Sequence, residues 1–326
     1  MKNNYRAKVV SPANIAFIKF WGKKDPKINI PYNNSLSMNL SNCFTTTSVE
    51  FMPKLKTDMV FIDGKEVTDA KKERVVHILD VLRKMASKNI FALVKSKNNF
   101  PSDAGVASSA SAFSALSLAA SSALGLKLSK KELSIIARLG SGSASRSIID
   151  GFAEWRRGKD SNSSYAVQLA PASYWNLRDI VAITSKNKKK VSSGEGHALA
   201  ETSPYFKLRL KNLPRRISKI KKAFFKRDFK SFGEILEEEA IDLHVMAMTS
   251  EPPIIYWDKG TLAVVNEVLR IRERGMPAYF TMDAGPNVHV ICLSRDEIKV
   301  REVLSKIPEV LNLITNRAAR GARIIK

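Results

Sequence analysis

Cysteine is nearly missing from this chain. Two in 326 residues, Cys43 and Cys292, cannot supply a disulfide framework, and both sit in stretches that read as strands. No CxxC pair and no Cys/His cluster occurs, which argues against structural zinc. No apolar run reaches the roughly 18 residues of a membrane span. The opening MKNNYRAKVVSPANIAFIKF contains no uninterrupted apolar core of a secretory leader. These absences lead to the expectation of a reduced, cytoplasmic setting with no membrane partner. Acidic residues are the other shortage, 31 against 54 Lys and Arg, for a net charge of +23. Such a charge fits a solvated lysine-rich surface, a field that attracts a polyanionic small molecule, or nucleic-acid binding. The densest basic runs, 186–190 and 207–227, lack the interleaved aromatics of a base-stacking platform, so nucleic acid is not expected.

The remaining composition is that of a globular chain, 44% hydrophobic and 26% charged, long enough for one large domain or two lobes. No internal repeat shows. Alternation predicts strands over 5–10, 45–51, 59–62, 90–95, 180–184, 279–282 and 288–293. Asp63-Gly64 marks a hairpin. Helical spacing covers 69–88, 108–124, 129–139, 214–226, 229–248, 259–274 and 296–306. Ser129 with Glu132 forms a capping box. The order of elements is α+β with mixed sheets, not a regular βαβ array. A break near residue 185 divides the chain into an N-terminal lobe, 1–185, and a C-terminal lobe, 186–326.

Four stretches carry chemistry. The segment FPSDAGVASSASAF, 100–113, follows a strand and opens a helix of small residues. It matches neither GxxxxGK[ST] nor GxGxxG. A helix start rich in Gly and Ser is either a close-packed capped helix or a cradle whose free N–H groups hold phosphate. A second such start, GSGSASRSIIDG at 140–151, carries Arg146, a residue suited to bidentate contact with phosphate or carboxylate. Lys19 lies in the apolar run Ile15 to Trp21, where it is either a snorkelling edge residue or a lysine held in a pocket. Asp283 stands between a strand and a Gly-Pro turn, a common turn position unless a hydroxyl is placed opposite it.

Six strings in order, NIAFIKFWGKKD, PYNNSLSMNL, NNFPSDAGVASSASAF, RLGSGSASRSIIDGFAEW, KKKVSSGEGHALAETSPYF and TMDAGPNV, resemble the diphosphomevalonate decarboxylase family over nearly the whole chain. That family belongs with galactokinase, homoserine kinase and mevalonate kinase. The resemblance implies their two-lobed fold, with mixed sheets, a helical layer and an active site in the cleft between lobes. It implies ATP and Mg²⁺, and a reaction that phosphorylates the tertiary hydroxyl of (R)-5-diphosphomevalonate. Phosphate and CO₂ are then lost to give isopentenyl diphosphate. Asp283 is the implied catalytic carboxylate, Lys19 its neutralising partner, and Arg146 the ligand of substrate carboxylate or diphosphate. Pro101, Asp103, Gly105, Ala107, Ser108, Ser109 and Ser111 would cradle the ATP phosphates, with Ser108 and Ser109 near Mg²⁺. Asn14, Lys23, Ser141, Gly142, Ser143, Ser192 and Ser193 would hold the phosphorylated mevalonate. A homodimer is also implied. Departures from the family strings are Asp103, where the loop commonly reads PTAAG, Phe20 in place of Tyr, and Gly194 where some relatives carry Arg. Relatives that use mevalonate 5-phosphate, or mevalonate 3,5-bisphosphate without ATP, to give isopentenyl phosphate form the alternative.

Overall fold

The computed structural model describes residues 5–101, 108–187 and 190–326. The first lobe is built on two long antiparallel strands, β1 (Arg6–Ile18) and β4 (Ser35–Phe51). Between them runs a small ribbon, β2 (Lys23–Asp25) and β3 (Ile30–Pro31). The hairpin β5 (Met59–Ile62) and β6 (Lys65–Glu66) turns at Asp63-Gly64, as its sequence predicts. Helix α1 (Ala70–Ala86) leads to β7 (Ala92–Asn98), followed by α2 (Ser108–Ala123), α3 (Lys130–Gly140), α4 (Ala144–Ser147), β8 (Phe152–Trp155) and β9 (Ala166–Ala170). The length of β4 lets it serve two neighbours. Its first half pairs β8 and its second half pairs β7. The β5–β7 pair is parallel within an otherwise antiparallel sheet, the mixed pattern expected.

Small side chains let α2 lie close against β1 and β4. Ala110, Ala115 and Ala119 are fully buried there. The serines that accompany them are satisfied: Ser114 shares a hydrogen bond with Ser11 at 2.5 Å, and Ser117 Oγ donates to the Phe113 carbonyl at 2.8 Å.

The second lobe contains β10 (Leu177–Ile183), α5 (Ser193–Leu199), α6 (Phe206–Lys226), α7 (Phe229–Met248), α8 (Lys259–Glu273), β11 (Ala278–Thr281), β12 (Val288–Leu293), α9 (Glu297–Ser305) and β13 (Asn312–Arg317). Its sheet runs β11-β12-β10-β13, all antiparallel. Cross-strand neighbours share a face, so Val181, Tyr279 and Ile291 point one way and Ile180, Phe280 and Val290 the other. The second set meets α8 through Val264 and Val268. The first set joins Ile15 and Phe17 of β1, Leu36 and Met38 of β4 and Phe232 of α7 in a core shared by both lobes. Phe17 meets Phe232 edge-on at 5.0 Å, which ties the end of β1 to α7.

Several elements depart from the sequence expectations. Strand β1 continues past residue 10 to Ile18, through Pro12. Proline lacks a ladder donor, and the pairing with β4 shifts register between Pro12 and Asn14, an irregularity that accommodates it. Helix α6 begins at Phe206, with Pro214 in its interior instead of at its start. An interior proline costs about 3 kcal/mol, and burial of Leu213, Ile220 and Phe224 offsets it. The second Gly/Ser start gives only the single turn α4. The sheet changes between Ala170 and Leu177, upstream of the lysine-rich segment that suggested a break at 185, because β10 is a buried central strand of the second sheet. The chain end then returns to the first lobe, where β14 (Arg323–Ile325) pairs β1.

Candidate active site

A cleft of about 690 Å³ opens between the lobes. Into it face the end of β1, the ribbon β2–β3, the N-terminus of α2, the turn after α3, the start of α5 and the loop joining β11 to β12. Two other concavities, of about 910 and 920 Å³, are larger, but neither is lined by any residue of the four chemical stretches.

Lys19 follows the last residue of β1, and its side chain is 1% exposed. Its ammonium donates to Asp283 Oδ1 at 2.9 Å. Asp283 sits on the floor of the cleft, in the loop between β11 and β12. Burial pushes the Asp283 carboxyl up. The charges of Lys19, His289 and Arg146, with the Lys19 hydrogen bond, outweigh that and hold it below the usual carboxylate value. Burial lowers the Lys19 ammonium, against the opposing pull of Asp283. His244 lies nearby on α7. Burial, then the Lys19 charge, pushes its imidazole down to about 3, so it is neutral.

Arg146 on α4 is 3% exposed, and among the described residues its hydrogen-bond acceptors are all neutral. Its Nη2 donates to Asn14 Oδ1 at 2.9 Å, its Nε to Ser37 Oγ at 3.0 Å, and its Nη1 to Ser35 Oγ at 2.6 Å. Burial pushes the guanidinium down to about 10, which leaves it charged at neutral pH. A buried cation whose hydrogen-bond partners are all uncharged creates a strong local demand for an anion. With Lys19 engaged by Asp283, Arg146 is a buried cation placed to meet it in the cleft.

The two Gly/Ser stretches meet at the cleft wall. Ser141 Oγ lies 3.1 Å from Ser109 Oγ and 3.3 Å from Ser143 Oγ, so hydroxyls from the start of α2 and from the turn before α4 form one cluster. Gly142 is required in that turn. A Cβ there would lie 2.7 Å from both Phe20 and Trp155, inside contact distance. Gly142→Ala is expected to displace Phe20 and lower kcat/KM at least roughly tenfold, measured by steady-state kinetics. Unchanged kinetics would show that Phe20 yields without moving the wall.

The structure brings Lys19, Lys23, Ser108, Ser109, Ser141, Gly142, Ser143, Arg146, Ser192, Ser193 and Asp283 to this one cleft. Three expectations fare differently. Asn14 lies behind Arg146, which it grips through Oδ1 while its Nδ2 donates to Ser147 Oγ at 2.8 Å. It therefore orients Arg146 and does not line the cleft. Ser111 is fully buried, donating to the Ser108 carbonyl at 3.0 Å and sharing a bond with Thr45 at 2.6 Å. Two residues beyond Ser109 is about 200° around a helix, which turns Ser111 from the cleft to β4. Pro101 also does not line the cleft. Asp103, Gly105 and Ala107 fall outside the described residues. Ser192 lines the cleft, but its hydroxyl also caps α5 by accepting from Glu195 N–H at 3.2 Å.

Sequence reasoning missed other cleft residues. Lys71, Arg74 and His77 repeat at i, i+3, i+6 along α1, a polar stripe beside the apolar one that identified the helix. Arg74 donates to the Gly140 carbonyl and lies over the Phe113 ring at 4.6 Å. Burial, then the Arg74 charge, lowers the Lys23 ammonium. His197 stacks on Phe20 at 4.1 Å and accepts the Gly22 N–H at 3.1 Å.

Two family models match almost end to end: a diphosphomevalonate decarboxylase-like N-terminal domain over residues 11–166 and a mevalonate 5-diphosphate decarboxylase C-terminal domain over residues 179–322. The Saccharomyces cerevisiae diphosphomevalonate decarboxylase is 35% identical over 324 residues, covering 93% of this chain and 82% of that protein. The chain belongs to the diphosphomevalonate decarboxylase family. The crystal structure of mevalonate diphosphate decarboxylase from Staphylococcus aureus superposes with a TM-score of 0.93 at 37% identity, covering 98% of each chain. A second solved relative, MDDEF in complex with MVAPP, AMPPCP and magnesium, has a TM-score of 0.92 at 36% identity, covering 98% of this chain and 99% of its own. The boundary between the two family models, 166 to 179, coincides with the passage from the first sheet to the second. The similarity extends over 98% of the chain, whose last strand returns to pair β1 of the first lobe.

Proposed function

We propose that the protein is an ATP-dependent diphosphomevalonate decarboxylase whose reacting centre is Asp283, Lys19 and Arg146. One observation carries this reading: a Lys19–Asp283 ion pair and a guanidinium whose hydrogen-bond partners among the described residues are all neutral share a cleft wall with both Gly/Ser helix starts. The substrate brings a carboxylate, a tertiary hydroxyl and a diphosphate. Arg146 takes the carboxylate. Asp283 orients the hydroxyl and accepts its proton as ATP phosphorylates it. Lys19 keeps Asp283 ionised and fixes its direction. The hydroxyl thereby becomes a phosphate, a far better leaving group. As it departs, positive charge develops at the tertiary carbon, and the Asp283 carboxylate stabilises it. Loss of CO₂ gives isopentenyl diphosphate, with ADP and phosphate as the other products.

The N-terminus of α2, with Ser108 and Ser109, faces the cleft, an arrangement that suits nucleotide phosphates. Among the described residues no cluster of His, Cys, Asp or Glu is arranged to hold a metal. A magnesium ion would therefore take most of its ligands from nucleotide phosphates and water, with a serine hydroxyl. Bound to the phosphates, it supplies charge neutralisation. Lys23, Ser141, Ser143 and Ser193 are assigned to the substrate diphosphate. Cys43 and Cys292 are free and buried, which fits the reducing cytoplasm included in this reading. Among the described residues no helix is long and apolar enough to cross a membrane. A homodimer completes the proposal, and sedimentation of the purified chain tests it.

The test of the reaction is product analysis with three substrates, each with and without Mg-ATP. Isopentenyl diphosphate from (R)-5-diphosphomevalonate, dependent on ATP, is the expected result. Isopentenyl phosphate from mevalonate 3,5-bisphosphate without ATP, and no product from diphosphomevalonate, would overturn it.

A further inference from the structure

Glu239 is fully buried on α7, yet no step assigned above uses it. It ion-pairs with Arg209 and, through Oε2, with Arg216 Nη1 at 2.8 Å. Two guanidiniums offer more than enough donors for one carboxylate. One oxygen nevertheless also receives the main-chain N–H of Lys19 at 3.0 Å. The other end of the same residue is held as well: the Lys19 carbonyl accepts from Asn33 Nδ2 at 3.0 Å and from Arg209 Nη2 at 3.3 Å. Lys19 lies just past β1, where no ladder bond is available to fix its backbone. The carboxylate replaces that missing ladder bond.

We propose that Glu239 is a positioning residue of the decarboxylase reaction, clamping the Lys19 main chain so that its ammonium meets Asp283, and supplying a fixed negative charge behind that ammonium. The inference rests on the roles of Lys19 and Asp283 proposed above. Lys19 faces Asp283 from the β11–β12 loop, Arg146 from α4, Glu239 and His244 from α7, and the Arg209 guanidinium from α6. Burial depresses its ammonium first, Arg146 adds to that, and Asp283 and Glu239 oppose it. Loss of the Glu239 charge therefore depresses it further. The ionised pair then survives over a narrower range, lost earlier as pH rises.

Glu239→Gln is expected to lower kcat on the order of 10- to 100-fold, as a small misplacement of a reacting group does, with KM for diphosphomevalonate within about twofold of wild type. The alkaline limb of kcat should move to lower pH. Arg216→Gln disrupts the same buried ion cluster but keeps the Lys19 N–H clamp. It should retain kcat and the wild-type limb even where the thermal midpoint falls. If Glu239→Gln does not fold, Glu239→Asp is measured instead. Its shorter side chain loosens the clamp and keeps the charge, so kcat falls while the limb stays.

NMR titration of the Lys19 side chain gives a readout independent of turnover. A titration that moves down in Glu239→Gln while the wild type makes no isopentenyl diphosphate defeats only the decarboxylase reading. An active wild type, with Glu239→Gln matching it in kcat, limb and Lys19 titration, defeats the Glu239 assignment. So does Glu239→Asp at wild-type kcat, or an Arg216→Gln variant that shifts the limb as Glu239→Gln does.

Discussion

Asp283→Asn is expected to lower kcat by about 10²- to 10⁴-fold, the range associated with loss of a positioned acid–base group. Asparagine keeps the size and one acceptor oxygen of the carboxylate, so the Lys19 hydrogen bond can persist while the charge is lost. In the proposed mechanism, what disappears is the group that takes the hydroxyl proton and faces the developing positive charge. The chain should stay folded. Asp283 belongs to a loop at the cleft floor, and the shared core of Phe17, Met38, Phe232 and Ile291 does not depend on it. Lys19 loses its main counter-charge, so its ammonium, already lowered by burial, is depressed further. Deprotonation then relieves the uncompensated charge. The wild-type acid limb should lie below the ordinary carboxylate value, because the folded enzyme holds Asp283 down and protonation is postponed to lower pH. Isopentenyl diphosphate formation, circular dichroism and substrate calorimetry together check this. Turnover within about threefold of wild type would remove Asp283 from the reacting centre.

Arg146→Gln gives a second large effect with an unusual companion. The loss in kcat/KM is expected at roughly 10²- to 10³-fold, comparable to removal of a preorganised electrostatic contact. Thermal stability should be unchanged or raised. The guanidinium is 3% exposed, and among the described residues it hydrogen-bonds Asn14, Ser35 and Ser37 but no carboxylate, so burial outweighs the pull of the Asp283 charge and is only partly compensated in the free enzyme. Burial depresses it to about 10, so at neutral pH the charged form opposes folding. Glutamine is neutral and can still hydrogen-bond Asn14. If Arg146 binds substrate as proposed, a residue that the free fold tolerates at a loss is the trade-off expected of a functional site. Thermal melts alongside kinetics test it. A large drop in melting temperature with little change in kcat/KM would mark Arg146 as structural.

Much of the fold was legible because its signals are short. The capping box at Ser129 and Glu132, the Asp63-Gly64 hairpin and helix α7 all appear where local spacing puts them. The strand expected over 5–10 continues through Pro12 to Ile18, and the helix expected over 214–226 begins at Phe206 with Pro214 inside it. Proline reads locally as a strand breaker or a helix start, but a pairing irregularity admits the first and tertiary burial supports the second. The break expected at residue 185 was a composition signal, and sheet membership follows hydrophobic pairing instead.

The sequence by itself determined which groups are available for chemistry: Lys19, Arg146, Asp283 and two Gly/Ser helix starts, each carried by a string of a dozen or so neighbours. Only the tertiary structure decided which of them act together. Lys19 and Asp283 are 264 positions apart and Lys19 and Glu239 are 220 apart, yet each pair is within 3.0 Å. Tertiary placement also moved Asn14 from the cleft to the back of Arg146 and turned Ser111 inward onto Thr45. The reason is physical. Helix caps and turns are satisfied by backbone groups a few residues away, whereas a buried charge must find its partner wherever the packed core brings one.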